Sequence, residues 1–565
     1  MNLQEMTVRE INQNFPAAKR VFEKYGIAGC GGTLGPPEPL TFFAQAHQVS
    51  LEQLVQDLKS AIAKPDADSC CPKCHPDDSS HEEEMNLYIP FVKLAIVIAL
   101  TSGTLLGALI LSHIAVHGAF QFPFYSLIQA HGHAQIFGWA GLMIMGIAYH
   151  ILPRFKRTRL SAPKVAQGTL FLMFIGILLR QVAQPGLGLA MSVPLLWTSA
   201  VLELSAIACF FGIMMAVFLG SQIAGDFYDS YIVMSLVYFL MAGILNIVQV
   251  YQMTKTGIPF VTGTLNDYYL HIALYGFIGM MILGVSLRIL PHFLGTREPK
   301  KFLCWVSFWF WNIGILGYGL FGPLLCATAE FIASTVFIKA IGIFERRNKP
   351  IPIPGIDSAY TWFIDTAYGW FWVAMALFWI GEIYRTITGN APAHIYVGSY
   401  RHALTVGFMT SMILGVGYRI IPVFQGRFLH SSKAMKFSFW LLLAGNSFRV
   451  IGQLITQWTR WSYPFVGISG YLELTALALF GWNIWKTLAP EEKPQTCPIT
   501  PGTRIVNLLR HYPHLRQVLV EKGFTPLKDP SYPIPPFATL RIAAMKHRIS
   551  VKSLITELDA RKNGD

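Results

Sequence analysis

The sequence predicts an all-α polytopic membrane protein. It would have twelve transmembrane helices in three pseudo-threefold four-helix repeats, with a small helical cytoplasmic domain at each end. Three observations predict this. Of 565 residues, 53% are hydrophobic and only 13% charged, and the mean hydropathy is +0.44, a balance that excludes an ordinary soluble domain. A long motif recurs three times. Measured from His133, His271 or His402, each copy has Gly at +5, an aromatic at +6, Gly at +13, His or Arg at +17, Pro at +20 and Phe at +22. Spacings of 138 and then 131 residues between copies mark an internal repeat. The two ends of the chain also resemble each other: Leu40, Ala44, His47, Ser50, Leu54 and Leu58 correspond to Leu540, Ala544, His547, Ser550, Leu554 and Leu558.

Residues 1–62 read as a small helical domain. Thr7 caps a helix that ends near Phe15-Pro16, a second helix runs from Pro16 to Gly26, and a third from about Glu38 to Ile62. Residues 63–86 are a polar linker with Cys70-Cys71-Pro72-Lys73-Cys74-His75. The polar start reads as the absence of a signal peptide. Residues 87–487 hold twelve apolar runs, near 87–112, 129–152, 166–185, 194–219, 230–254, 268–291, 302–322, 323–344, 360–385, 400–421, 437–457 and 464–486. Each is long enough for a bilayer core of about 30 Å. Four runs per motif copy put the motif on the second helix of each repeat. Residues 497–562 form the second small helical domain.

Lys and Arg set the orientation. Arg154, Lys156, Arg157, Arg159 and Lys164 follow the second span. Arg297, Lys300 and Lys301 follow the sixth, and Arg427, Lys433 and Lys436 the tenth. The alternate loops are nearly bare, so both termini are predicted cytoplasmic, in a bacterial inner membrane. This asymmetry accounts for the net charge of +13 without a nucleic-acid partner. The lipid bilayer is the partner it implies.

Seven of the sixteen histidines fall on the opposite, outer side: His113, His117, His131, His133, His271, His394 and His402. Neutral imidazole is a good metal and haem ligand, and so many on one rim point to that chemistry. The motif histidines are expected in the first turn of their helices, where the positive dipole end keeps the ring neutral. His113 and His117 share a helix face. His131 and His133 lie about 200° apart and cannot serve one pocket. Register makes His133 the equivalent of His271 and His402 and assigns it to the threefold axis. Glu203, Glu330 and Glu473 lie on the last span of each repeat. Arg180 and Arg449 each stand 47 residues after a motif histidine, where the middle repeat has Tyr318. Charges at that depth require partners, so Arg180–Glu203 and Arg449–Glu473 are expected as ion pairs; the arginines are also candidates for haem propionates. Cys71, Cys74 and His75 match the Cys-x-x-Cys-His pattern of covalent haem attachment. On the cytoplasmic side they read instead as a thiolate metal, iron–sulfur or redox site. Cys209, Cys304 and Cys326 read as core thiols.

With His on spans two, six and ten, the chain resembles subunit I of the haem-copper oxidase and nitric oxide reductase superfamily. It more closely resembles the NnrS family, on His131-Gly132-His133-Ala134-Gln135-Ile136-Phe137-Gly138 and on His402-Ala403-Leu404-Thr405-Val406-Gly407 through Met412-Ile413-Leu414-Gly415 to Gly426-Arg427. That resemblance implies a haem protein of nitric oxide or nitrosative-stress metabolism, with copper as a further expectation, a diatomic ligand such as nitric oxide, and an electron donor. If it is an enzyme, it is a haem-dependent oxidoreductase acting on nitric oxide or oxygen. By the same analogy a b-type haem is expected between His133 and His402, near Arg180 or Arg449, leaving His271, with His113, His117 or His131, for a second metal. The oxidases carry adjacent histidines on span seven and His-x-His on span ten; here span seven has none and span ten has only His402. His271 and Tyr275 keep the His-x-x-x-Tyr spacing of some oxidases. The terminal domains resemble the small DUF1858, or ScdA N-terminal, domain, with Gly26-Ile27 and Cys30-Gly31-Gly32 in the first copy. A terminal oxidase or nitric oxide reductase, and a transporter lined by the buried Arg and Glu, are the competing readings.

Overall fold

The computed structural model describes residues 3–15, 17–25, 35–36, 38–47, 49–63, 86–118, 124–318, 320–345, 356–489, 499–505, 508–509, 512–528, 538–547 and 549–561. The expectations for Cys30, Cys70, Cys71, Cys74, His75 and Cys497 lie outside these residues. Among the described residues every named element is helical.

The first small domain is built from α1 (Val8–Asn14), α2 (Ala18–Lys24), α3 (Leu40–Ala46) and α4 (Leu51–Ala63). Thr7 caps α1 in a capping box: Thr7 Oγ1 accepts from the Glu10 N–H at 3.2 Å and Glu10 Oε2 accepts from the Thr7 N–H at 2.8 Å. The single helix expected over 38–62 is two. His47 ends α3, the Val49 N–H donates back to the Ala44 carbonyl, and Ser50 caps α4, because a serine hydroxyl competes for local backbone donors. Phe22, Leu40, Phe43, Leu54 and Leu58 form the core. At the surface, the Tyr25 hydroxyl, Lys24 and Gln53 all donate to Asp57 and hold its carboxyl down at about 2.

Twelve helices follow at the twelve apolar runs: α5 (Tyr88–His117), α6 (Phe124–Phe155), α7 (Pro163–Ala183), α8 (Ser192–Leu219), α9 (Phe227–Thr256), α10 (Thr264–Leu294), α11 (Lys301–Gly317), α12 (Pro323–Ile341), α13 (Tyr360–Thr388), α14 (His394–Phe424), α15 (Ser432–Ile455) and α16 (Tyr463–Leu488). Ten of them are long and apolar enough to cross a membrane, which makes this a multi-pass membrane protein. The other two are α11, of 17 residues, and α15, whose apolar run is broken by Asn446, Arg449 and Gln453. Phe171, Trp309 and Trp440 stand on the outside of the bundle, a surface suited to lipid rather than water.

The motif glycines are close-approach points. A Cβ on Gly138 would meet Ile98 at 2.5 Å, one on Gly276 would meet Tyr238 at 2.7 Å, and one on Gly407 would meet Trp370 at 2.6 Å. The second set repeats this: Gly146 on Phe91 at 2.5 Å, Gly284 on Ile232 at 2.8 Å, Gly415 on Phe363 at 2.9 Å. Thus α6, α10 and α14 each lie against the helix before them with only a hydrogen atom between backbone and neighbour. Helices α7 and α8, α11 and α12, and α15 and α16 pair closely, α8 runs against α9, α12 against α13, and α16 packs back on α5.

Every motif helix changes winding directly after its histidine. Ala134–Gly141, Ile272–Gly279 and Ala403–Thr410 are π-helical, as is Ala99–Gly103 in α5. The wider turn re-aims side chains within a continuous helix. The histidines therefore lie two turns in, at the α-to-π junction, and not in the first turn. The helix-dipole argument for keeping them neutral loses its force, since that effect fades beyond one turn.

The first small domain belongs to the same compact unit as the bundle. It sits at the ends of the motif helices that carry the +17 groups. Arg419 donates to Glu38 Oε1 at 2.8 Å and lies over Phe293 at 4.9 Å. Arg9 donates to the Gly426 carbonyl at 2.7 Å and Arg157 to the His47 carbonyl at 2.8 Å. His47 stacks on Phe43. Burial, with the cationic Arg288 and Arg157 adding, pushes its imidazole down to about 3.

The second small domain is a separate unit, Ala489–Asp565, with α17 (Leu515–Glu521), α18 (Leu540–Lys546) and α19 (Val551–Ala560). Its backbone repeats the first. Val8 N–H to Glu38 O and Leu40 N–H to Met6 O in one copy match Ile505 N–H to Ala538 O and Leu540 N–H to Thr503 O in the other.

Candidate functional site

Each motif histidine faces a glutamate two helices further along the chain. His133 Nε2 and Glu203 Oε1 are 2.8 Å apart, His271 Nε2 and Glu330 Oε1 2.5 Å, His402 Nε2 and Glu473 Oε2 3.5 Å. A third helix makes room for each carboxylate. A Cβ on Gly176 would meet Glu203 Cγ at 2.6 Å, one on Gly314 would meet Glu330 Cγ at 2.4 Å, and one on Gly445 would meet Glu473 Cγ at 2.9 Å. These glycines stand 43 residues after the motif histidine in all three cases. That spacing was the available signal for the pairs, and the sequence reading did not use it.

The expected Arg180–Glu203 and Arg449–Glu473 ion pairs are not formed. The carboxylates cross the glycine one turn before each arginine and reach the imidazole first. Arg180 Nε instead donates to Gln184 Oε1 at 2.8 Å, and its Nη1 has no partner. Arg449 Nε is likewise buried without one. Both guanidinium groups stay within electrostatic reach of the glutamates.

The three pairs differ in what surrounds them. Glu203 is saturated: besides His133 it accepts from Asn246 Nδ2 at 2.8 Å and Ser199 Oγ at 3.4 Å. Glu330 and His271 are enclosed by stacked Tyr275 and Tyr318, with ring centroids 4.3 and 4.4 Å from the imidazole. The third surroundings are polar and unsatisfied. Glu473 Oε1, both amide atoms of Asn446 and Gln453 Oε1 are buried without partners.

His131 faces away from His133, as their angular separation requires. Its ring lies on α5, where a Cβ on Gly107 would meet Cε1 at 2.7 Å, and its Nδ1 bonds the Gly103 carbonyl at 2.8 Å. Its electrostatic neighbours are His402, Arg449 and Glu473. Trp139 Nε1 donates to Thr410 Oγ1 at 3.3 Å and ties the same two motif helices together. The structure therefore brings His131, His402, Arg449 and Glu473 into one neighbourhood, and gives His133 to Glu203.

The residues expected to hold a second metal are not brought together. His113 and His117 stack on each other at 3.9 Å near the end of α5, His117 Nδ1 bonding the His113 carbonyl. His271 is enclosed on α10 with Glu330. Among the described residues no three His, Cys, Asp or Glu side chains converge as a metal site. Cys304 and Cys326 are free buried thiols and Cys209 is half-buried.

Known proteins agree with this architecture. The sequence model of the family described as NnrS protein matches residues 88–491, and that of DUF1858, a domain of unknown function, matches residues 499–555. No protein of curated function matches the sequence. The fold is similar to a chain in a cryo-EM structure of a haem-copper terminal oxidase dimer, with a TM-score of 0.54 over 86% of this chain and 98% of that one. At 14% identity the likeness shows the fold alone. By the match over its membrane bundle, the chain belongs to the NnrS family, on a haem-copper oxidase-like fold.

Proposed function

We propose that this is a haem-b-binding integral membrane protein that acts on or responds to nitric oxide, with haem held between His131 on α6 and His402 on α14. The observation that carries the reading is the state of His131. Its Nδ1 is fixed on a backbone carbonyl, which leaves Nε2, the usual ligand atom, without a partner among the described residues. His133, the ligand expected from register, has its Nε2 engaged by Glu203 at 2.8 Å, whereas His402 Nε2 stands 3.5 Å from Glu473, too long for a good hydrogen bond. The unpartnered polar atoms of Arg449, Asn446, Gln453 and Glu473 fit the polar edge of a haem, and Arg449 is the residue suited to a propionate. A haem there would supply a one-electron iron centre. The chain's own part is to orient the two imidazoles and exclude water.

The proposal includes twelve spans in a pseudo-threefold arrangement, supported by the recurring glycine contacts and His–Glu pairs, and cytoplasmic termini in a bacterial inner membrane, supported by Lys and Arg. It extends to the first small domain as a second copy of the DUF1858 fold, supported by the shared backbone bonds. Nitric oxide as ligand and an external electron donor rest on the family alone. Copper is left out, because the candidate ligands lie apart.

The test is the reduced-minus-oxidised spectrum of the purified protein. His131→Ala and His402→Ala should each remove most haem absorbance per polypeptide, while His133→Ala and His271→Ala retain it. Loss in His133→Ala with retention in His131→Ala would return the ligand role to His133. Nitric oxide should perturb the wild-type spectrum. A cytoplasm-active reporter fused at residue 489 should give signal.

A further inference from the structure

The second His–Glu pair is set apart from the other two. Glu330 is fully buried and His271 nearly so, 2.5 Å apart, and Glu330 Oε2 has no partner. Glu203 has an amide and a hydroxyl donor, and Glu473 has Arg449 nearby; among the described residues no arginine or lysine bonds Glu330. A bare carboxylate at membrane depth costs several kcal/mol, and here the only relief is a proton shared with His271. Among the described residues His271 bonds only through Nε2, so Nδ1 can accept while Nε2 gives.

A line of charged groups leads from this pair to the face opposite the first small domain. Glu382 on α13 is within electrostatic reach of His271 and lies beside Arg385 and Asp267. The Asp267 and Arg401 side chains, 3.1 Å apart, are 37% and 30% exposed, and Arg385 is 35% exposed. The remaining titratable groups around the pair are phenols and one thiol: Tyr275 on its own helix, Tyr318 just past the end of α11, Cys326 on α12, Tyr400 on α14 and Tyr238 on α9. None of these is a cation that would fix the carboxylate as an anion.

We propose that His271 and Glu330 form a proton-binding site within the membrane, loaded from the far face through Asp267 and Glu382, and independent of the haem reading. Loading balances simply. A hydronium ion at the far face gives its proton to the Asp267–Glu382 line and leaves water; the Glu382 carboxyl passes that proton to Nδ1 of the imidazole, the Nε2–H bond breaks toward Oε1, and Glu330 becomes a neutral carboxylic acid beside the other imidazole tautomer. No electron moves, and unloading is the reverse.

The experiment is infrared pH-difference spectroscopy of the full chain in lipid nanodiscs. A protonated-carboxyl band should rise as pH falls, be lost in Glu330→Gln and persist in Glu203→Gln. Glu382→Gln should shift its midpoint to lower pH, since a nearby negative charge that favours protonation is gone. His271→Asn should leave the carboxyl unable to titrate over the same range. A Glu330→Gln protein that melts as wild type does and keeps the whole carboxyl signal would overturn the proposal. So would a His271→Asn protein that titrates unchanged. Both readouts are differences between variant and wild type, in which any haem propionate band cancels, so they fail separately from the ligand assignment.

Discussion

Glu203 and Gly107 show how one residue decides what a histidine can do. Glu203 anchors His133 with both of its oxygens hydrogen-bonded. Glu203→Ala should lower stability by about 3 kcal/mol, because it strands a buried imidazole and an amide. A melting temperature in detergent equal to wild type would contradict that. Gly107 does the opposite work for His131, supplying empty space where its ring lies. Gly107→Ala should displace the ring and cut haem per polypeptide as His131→Ala does. Gly132→Ala, with nothing within 4 Å of the added carbon, is the control and should bind haem normally. The sequence pointed to these histidines and glutamates by type and depth. It paired the glutamates with arginines, because charge alone favours that partner. Which partner a carboxylate reaches depends on a glycine one turn earlier, a matter of backbone distance rather than composition.

At the scale of the element, the motif is a packing device with a functional residue at its head. Its glycines let α6, α10 and α14 touch the preceding helices, and its histidines mark where α-helix turns to π-helix. Gly276→Leu would push against the Tyr238 ring and should cost about 1–3 kcal/mol by overpacking. Gly168→Leu, facing open space on α7, should cost almost nothing. Equal melting of the two variants would show that α9 and α10 are not held at this distance by Gly276. The positions of the helices were legible, since apolar runs of this length have one stable form in a bilayer. The π segments were not. Their extra residue per turn leaves the apolar pattern of a fully buried helix unchanged, so periodicity carries no trace of it.

At the scale of the whole molecule, the first small domain is a titratable lid on the bundle's basic end. Its helical character was legible in the Thr7 cap and the apolar spacing that follows; its seat was not, because it depends on Glu38 meeting Arg419 across 381 residues of chain. His47 makes that seat sensitive to acid. In place, its imidazole is lowered to about 3 from the ordinary 6.5, by burial first and by the cationic neighbours second. Released, it would bind a proton at any pH below about 6.5. The docked state therefore has its full stability above pH 6.5 and loses it as pH falls from 6.5 toward 3, because only the released domain takes up the proton. Hydrogen–deuterium exchange of residues 40–46 should rise over that window. His47→Phe keeps an aromatic ring against Phe43 and removes the titration, so its exchange should stay flat until the carboxylates protonate. Glu38→Ala should raise exchange at every pH, since it leaves the buried Arg419 without its carboxylate. Wild-type exchange that stays constant from pH 7 down to pH 4 would show that His47 does not couple docking to protons.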